Sequence, residues 1–202
     1  MAAAIHQMRA THTKSLLRSV RKLLTNEQTQ ILSAFGGEGA EKIDATIGVG
    51  WLPMTLHMKL ADAIRAVLGS SRNIQIWRET MTETYDRVLL RGFIDASVDL
   101  FGLTPASLFR QGPYIYRQLT RGLGELSVEE QDDKESSIVS LADFPSRDFD
   151  LVCYSEGLIG CLESSITRGR GKGSVTLTDL DQERGDLRFH AVWKANRHSV
   201  RP

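Results

Sequence analysis

Apolar residues along the chain change their rhythm once. As far as about residue 121 they recur at intervals of three, four and seven, the period of helices with one buried face; beyond Gly122 they alternate with polar residues, the period of half-buried strands. Leu16, Leu17, Val20, Leu23 and Leu24 mark a first helix. Thr25-Asn-Glu-Gln28 has the form of a capping box, in which a hydroxyl and a carboxamide each satisfy an orphan N–H. A second helix is therefore expected from Asn26 to about Phe35, ended by Gly36, Gly37 and Gly39, with a flexible stretch following to Gly50. Trp51-Leu-Pro-Met introduces a third helix with Pro53 in its first turn, a stripe of Leu56, Leu60, Ile64 and Leu68, and a stop at Gly69. Trp77, Met81, Tyr85, Val88, Leu89, Ala96 and Leu100 describe the buried face of a long helix. Thr104-Pro105 then reads as an N-cap with proline at the first helical position, and Pro113 as a break or kink before Tyr114, Tyr116 and Leu119.

The later pattern gives strands over Glu125–Glu130 and Ser137–Leu141, joined by a polar turn. A helix follows with Phe149, Val152, Ile159, Leu162 and Ile166 on its apolar face. Gly157 and Gly160 lie inside it, where each costs about 1 kcal/mol relative to alanine, so close backbone packing on a sheet is expected there. Val175 and Leu177, then Leu187, Phe189, Ala191 and Trp193, form a hairpin with one apolar face. The order predicts an α+β fold: N-terminal helices packed on a C-terminal antiparallel sheet of about four strands with one inserted helix, strand-strand-helix-strand-strand. One helix does not bury both faces of such a sheet, so the N-terminal helices are expected to cover it. The chain divides into a basic amphipathic helix over 1–24, a helical part over 25–121, a sheet-containing part over 122–195 and a tail over 196–202.

With 202 residues, 41% hydrophobic and 25% charged, the composition is that of an ordinary globular chain, read as a single domain. That length buries enough surface to fold without a disulfide or metal. No apolar run approaches the roughly 18 residues of a membrane span, which makes a cytoplasmic protein the expectation. Lys+Arg and Asp+Glu both number 25, so net charge names no partner. Local charge is less even. Arg9, Lys14, Arg18, Arg21 and Lys22 precede the first acid, giving a first helix with a solvated basic face or one that docks on an acidic partner or membrane. Between Glu125 and Glu135 six acids meet only Lys134, a pattern that protects a sheet edge.

Short blocks carry a family resemblance. Gly157-Leu-Ile-Gly-Cys-Leu-Glu163, Ser174-Val-Thr-Leu-Thr178 and Gly185-Asp-Leu-Arg-Phe-His-Ala-Val-Trp193 resemble the end of 4-vinyl-reductase-type small-molecule-binding domains, which share a fold with TRAPP transport-complex subunits and haem nitric-oxide-binding domains. Gly50-Trp51-Leu-Pro, Leu68-Gly69, Trp77-Arg78, Phe101-Gly-Leu-Thr-Pro105 and Leu108-Phe-Arg110 resemble a paralogous family of myxobacterial proteins. The resemblance implies a fold that binds apolar ligands or partner proteins. It departs at two places: Leu180 and Leu187 stand where many 4-vinyl-reductase-type domains have cysteines, and the Tyr-x-Ser-x-Arg signature of the haem branch is missing. Neither a thiolate metal site nor haem carries over.

Candidate chemistry narrows the field further. The five histidines, His6, His12, His57, His190 and His198, have no metal-ligand spacing, and Cys153 and Cys161 lie about 12 Å apart along one helix, so both cysteines read as core. Gly169-Arg-Gly-Lys-Gly-Ser174 leaves a helix and enters a strand, the reverse of a phosphate loop. Arg168, Arg170 and Lys172 lack an aromatic platform beside them, so no nucleic acid is expected. Trp51, His57, Trp77, Arg110, Tyr114, Tyr116 and Trp193 remain as candidate ligand-lining residues, because ligand sites are mostly apolar with a few polar anchors. The expectation is a non-enzymatic binding or regulatory domain for a small apolar ligand or a protein partner, without a cofactor, able to form a homodimer through its N-terminal helices. The alternatives are a reductase or hydrolase using His57 or a cysteine, and an adaptor docking through its basic helix.

Overall fold

The computed structural model describes residues 5–87, 90–92, 94 and 102–195. Val88, Leu89, Ala96 and Leu100, expected on the long helix, lie outside them. Strand β1 (Gln7–Arg9) runs into helix α1 (Ala10–Arg21), followed by α2 (Thr25–Phe35), α3 (Gly37–Ala45), β2 (Trp51–Pro53) and α4 (Met54–Tyr85). Helix α5 (Pro105–Leu119) leads to β3 (Thr120–Arg121), β4 (Glu125–Glu130) and β5 (Ser136–Ala142); α6 (Leu151–Arg168) precedes β6 (Gly171–Asp181) and β7 (Asp186–Ala195). The fold is α+β, with helices packed on an antiparallel sheet of order β4-β5-β7-β6.

Alternation decides the sheet. Leu187, Phe189, Ala191 and Trp193 are buried while Arg188, Val192 and Lys194 face out, and β5 buries Val139 and Leu141 on the same side. Helices α5 and α6 cover that face, as one apolar side requires. Of the N-terminal helices α5 covers the sheet as expected, on the same face as α6, while α1, α2 and α4 do not reach it. They pack on α6 through α4, and the outer sheet face stays open at Thr176, Arg188 and Val192. At the edge, β4 turns Leu126 and Val128 inward and keeps Glu125, Ser127 and Glu129 exposed.

A second, three-stranded sheet of order β2-β1-β3 was not legible in the pattern. Met8 pairs with Leu52 on one side and Thr120 on the other, tying the start of the chain to the entry of α4 and the exit of α5. Trp51-Leu-Pro53 is therefore strand, and α4 begins only at Met54. Three further expectations change. Thr25 forms no cap, because the helix already starts there and Leu24 occupies the N-cap without a side-chain bond. The stretch expected to be flexible holds α3, pinned by fully buried Ile43. Pro113 does not stop α5, which continues to Leu119. Thr104 does cap α5: its hydroxyl accepts from the Ser107 N–H while its own N–H donates to the Ser107 hydroxyl, a reciprocal capping box. The stop at Gly69 is real but brief. Its φ of 74° and ψ of 171° interrupt the helix, which resumes at once, so two expected helices become the halves of α4.

Helix α1 is not a surface helix. Leu16, Leu17 and Val20 are fully buried, and so are Thr13 and Ser15. Its cations are engaged within the chain: Arg18 and Lys22 meet Glu83 at 2.7 and 3.3 Å, and Arg21 meets Asp44 at 2.6 Å. Arg21 and Lys22 stay exposed at the end of the helix while making these pairs. Among the described residues, no helix is long and apolar enough to cross a membrane.

The contact that fixes the interior is α4 against α6. Gly160 approaches the α4 backbone so closely that an added Cβ would stand 2.6 Å from Trp77 Cβ and 2.9 Å from the Arg78 amide nitrogen. Gly157 lies flat on the Trp77 indole, where a Cβ would come within 3.1 Å. These glycines thus pack on a helix rather than on the expected sheet. Gly160→Ala is expected to lose about 2 kcal/mol in urea denaturation, overpacking outweighing the helix-propensity gain. Gly112→Ala, whose Cβ meets Leu126 and Val128 at 3.7 Å, is expected to be neutral or stabilising. Equal effects at the two sites would contradict this packing.

Candidate ligand cavity

Four helices leave a cavity of about 80 Å³ where they meet. Met8, at the end of β1, and His12, on α1, enter it from one side. Helix α4 contributes His57 from its first half, then Trp77, Met81 and Tyr85 at intervals of four from its second. Ile115, Tyr116 and Leu119 come from α5, and Tyr154, Leu158, Cys161 and Leu162 from the matching face of α6. The lining is overwhelmingly apolar.

Three rings make its polar end. The His12 and His57 rings stack with centroids 5.8 Å apart, and Trp77 lies 5.7 and 5.3 Å from them. The indole is held from behind: its Nε1–H donates to Asn73 Oδ1 at 3.1 Å, and Asn73 Nδ2 donates to Glu156 Oε2 at 2.8 Å. Arg65 Nε donates to the other oxygen of Glu156 at 3.0 Å, so this buried carboxylate on α6 is paired and bonded on both sides.

Both histidines are neutral in the fold. Burial pulls the His12 pKa down to about 4, and burial together with repulsion from His12 holds His57 well below its usual value. The Thr84 hydroxyl donates to Thr80 O, so it accepts from His12 Nδ1–H at 3.1 Å and fixes that tautomer. His57 Nδ1 bonds the Thr13 hydroxyl at 3.0 Å, and its Nε2 is buried without any hydrogen-bond partner. A buried polar atom left in that state costs about 1–3 kcal/mol. The tyrosines differ. Tyr116 O–H donates to Leu123 O at 2.6 Å, Tyr154 O–H to Tyr116 at 3.0 Å, and Tyr85 O–H to Ser165 at 2.6 Å, because Ser165 itself donates to Cys161 O. Their hydroxyl hydrogens are all committed within the protein.

Of the seven residues singled out in the sequence, His57, Trp77 and Tyr116 come together here. The other four sit elsewhere. Trp51 lies on the small sheet, with the Arg9 and Arg121 guanidiniums 3.7 and 4.0 Å from its ring. Arg110 forms a two-point ion pair with Glu130 at the surface, Tyr114 is exposed, and Trp193 stacks on Phe109 at 5.1 Å between sheet and α5. His12 was missed, although its spacing of four with Leu16 and Val20 places it on the buried stripe. Cys161 lines the cavity and Cys153 is fully buried; burial pushes the Cys161 thiol up to about 12 and raises Cys153 as well. Neither is a thiolate at neutral pH, which removes the activated nucleophile that a cysteine hydrolase needs. No group of three metal-ligating side chains forms among the described residues.

Solved structures share this fold. An H-NOX variant from T. tengcongensis superposes with a TM-score of 0.60 at 16% identity, covering 93% of this chain and 98% of that one. An H-NOX variant from K. algicida, in its Fe(II) unliganded form, gives 0.61 at 12% identity over 94% and 98%. An oxygen-binding H-NOX domain related to soluble guanylate cyclases, in its oxygen complex, gives 0.59 at 14% over 93% and 95%. Of the folds that the sequence resembles, these belong to the haem-NO-binding branch. No protein-family model and no curated protein matches the chain.

The described residues do not fit a haem. The cavity's volume of about 80 Å³ is well short of the roughly 300–1,000 Å³ of ordinary ligand sites. Trp77 is wedged between both histidines and Gly157. Among the described residues, no arginine or lysine lines the cavity to receive a porphyrin's carboxylates.

The neutral histidines predict an acid-sensitive fold. An unfolded histidine takes its proton near pH 6.5, whereas folded His12 refuses it until about pH 4. The unfolded state therefore binds more protons in that window, and stability falls as pH drops. Urea unfolding should give a level free energy above about pH 7 and a decline below 6.5, by up to about 1.4 kcal/mol per pH unit for each histidine. His12→Phe should lessen the slope by one proton's worth; an unchanged slope would refute the assignment.

Proposed function

We propose that this chain is a non-enzymatic regulatory binding domain, cytoplasmic in setting, that takes up a small, mostly apolar molecule between α1, α4, α5 and α6. The observation that carries the reading is the cavity: an apolar space placed where the N-terminal helices meet the sheet-bearing half. Two facts support it. Burial raises the pKa of both thiols and lowers that of both imidazoles, so neither a thiolate nor an imidazolium stands ready at neutral pH. The fold is that of H-NOX domains, one of which is described as oxygen-binding.

A ligand in this position touches both halves of the molecule at once. Binding would therefore shift how α1 and α4 sit on α5 and α6, which is the kind of two-state element a regulatory domain needs.

Xenon is the direct probe of such a space, since dry apolar cavities take it up. Melting temperature is expected to rise with xenon pressure by mass action. Cys161→Phe, which fills the cavity, should abolish the rise. Haemin added to the purified chain should give no Soret band and no stabilisation. A flat response to xenon, or stoichiometric haemin uptake, would overturn the proposal.

A further inference from the structure

We infer that the outer face of the small sheet, together with the turn that leads into β2, docks on an anionic lipid surface. This goes beyond the ligand reading above and does not rest on it.

The three short strands bury Met8, Leu52 and Thr120 and turn Arg9, Trp51, Pro53 and Arg121 the other way. Both guanidiniums lie over the Trp51 ring. Arg9 donates from Nε to Gln118 O at 3.1 Å and from Nη1 to Val49 O at 2.7 Å, so its partners are neutral carbonyls. Among the described residues, neither arginine forms an ion pair, and burial and the Arg121 charge both depress the Arg9 pKa. Two like charges gathered on one ring repel, and an external anion relieves that repulsion. Asp44, just before the turn, does not do so, because Arg21 holds it in a two-point ion pair.

The bond to Val49 joins these cations to an exposed apolar turn. Ile47 is 71% and Val49 61% exposed, with Gly48 between them and Gly50 after. The turn is fixed: Gly50 N–H donates to Ile47 O at 2.8 Å, and the Ala10 and Thr11 N–H groups donate to Gly50 O and Gly48 O at 2.9 Å. Its aliphatic tips therefore stand out beside a tryptophan and two arginines. That order matches the layers of a membrane interface. Acyl chains take the tips, the headgroup zone takes the indole, and lipid phosphates and carboxylates take the guanidiniums. An acidic protein would satisfy the charges, yet it would need preformed pockets for isolated tips that fluid acyl chains accept in any orientation.

Sedimentation of the full chain with vesicles is the test. Binding is expected to phosphatidylcholine and phosphatidylserine mixed in equal parts, to weaken as added salt shortens the Debye length, and to be slight on phosphatidylcholine alone. Arg121→Gln should weaken it about fivefold and Ile47→Ser about tenfold. Leu24→Ser, at an exposed leucine beyond the far end of α1, should leave it unchanged. Brominated acyl chains should quench Trp51 in the unmodified chain, since Trp77 and Trp193 are buried; this readout decides if a variant does not fold. Equal binding to both vesicle types, no effect of either Arg121→Gln or Ile47→Ser, a matching loss in Leu24→Ser, or no quenching would overturn the inference. Poly-glutamate bound as tightly as the anionic vesicles would overturn the lipid assignment in favour of an acidic protein.

Discussion

Everything in the interior depends on how closely α6 lies against α4. Gly157 and Gly160 remove the two side chains that would hold the helices apart, and the Trp77 indole fills the seam they create. Along the same seam the polar groups match in order: Asn73 with Glu156, Thr82 with Ser164 at 2.9 Å, Tyr85 with Ser165, and Asp86 with Arg168 at 3.0 Å. Burying glutamate and asparagine at such a contact is tolerable only because each is bonded. The result is a rigid joint that sets where Trp77 stands. Its position in turn decides the size of the space behind it.

From that joint the character of the cavity follows. Trp77 presses on His12 and His57, and β1 brings Met8 beside them because it is clamped between β2 and β3. Packing so dense strips both imidazoles of water and keeps them neutral. The cavity is narrow and its walls are mostly apolar. The same scaffold can host unlike ligands when the side chains at one seam are exchanged.

The sheet was legible because burial on one side enforces a period of two. Leu187, Phe189, Ala191 and Trp193 could be read as one face without knowing what covers it. The interior glycines of α6 were legible as a close approach, but not their partner, since α4 lies some 80 residues away and glycine carries no sign of what it meets. Strands of two or three residues, such as β1, β2 and β3, are too short to show any period. The aromatic residues divided for a physical reason. Trp77 and Tyr116 sit on helix faces that turn inward, while Trp51 and Trp193 satisfy themselves against arginine and phenylalanine. His12 escaped because a histidine on an apolar stripe is indistinguishable in sequence from a satisfied core residue.

The most direct test is a crystal structure of the protein as purified, at neutral pH, resolved well enough to see ordered water. The account requires the indole of Trp77 bonded to Asn73 and lying on Gly157, with any density in the cavity no larger than a few atoms. Planar macrocyclic density, or an indole swung away from the two imidazoles to open a larger chamber, would contradict it.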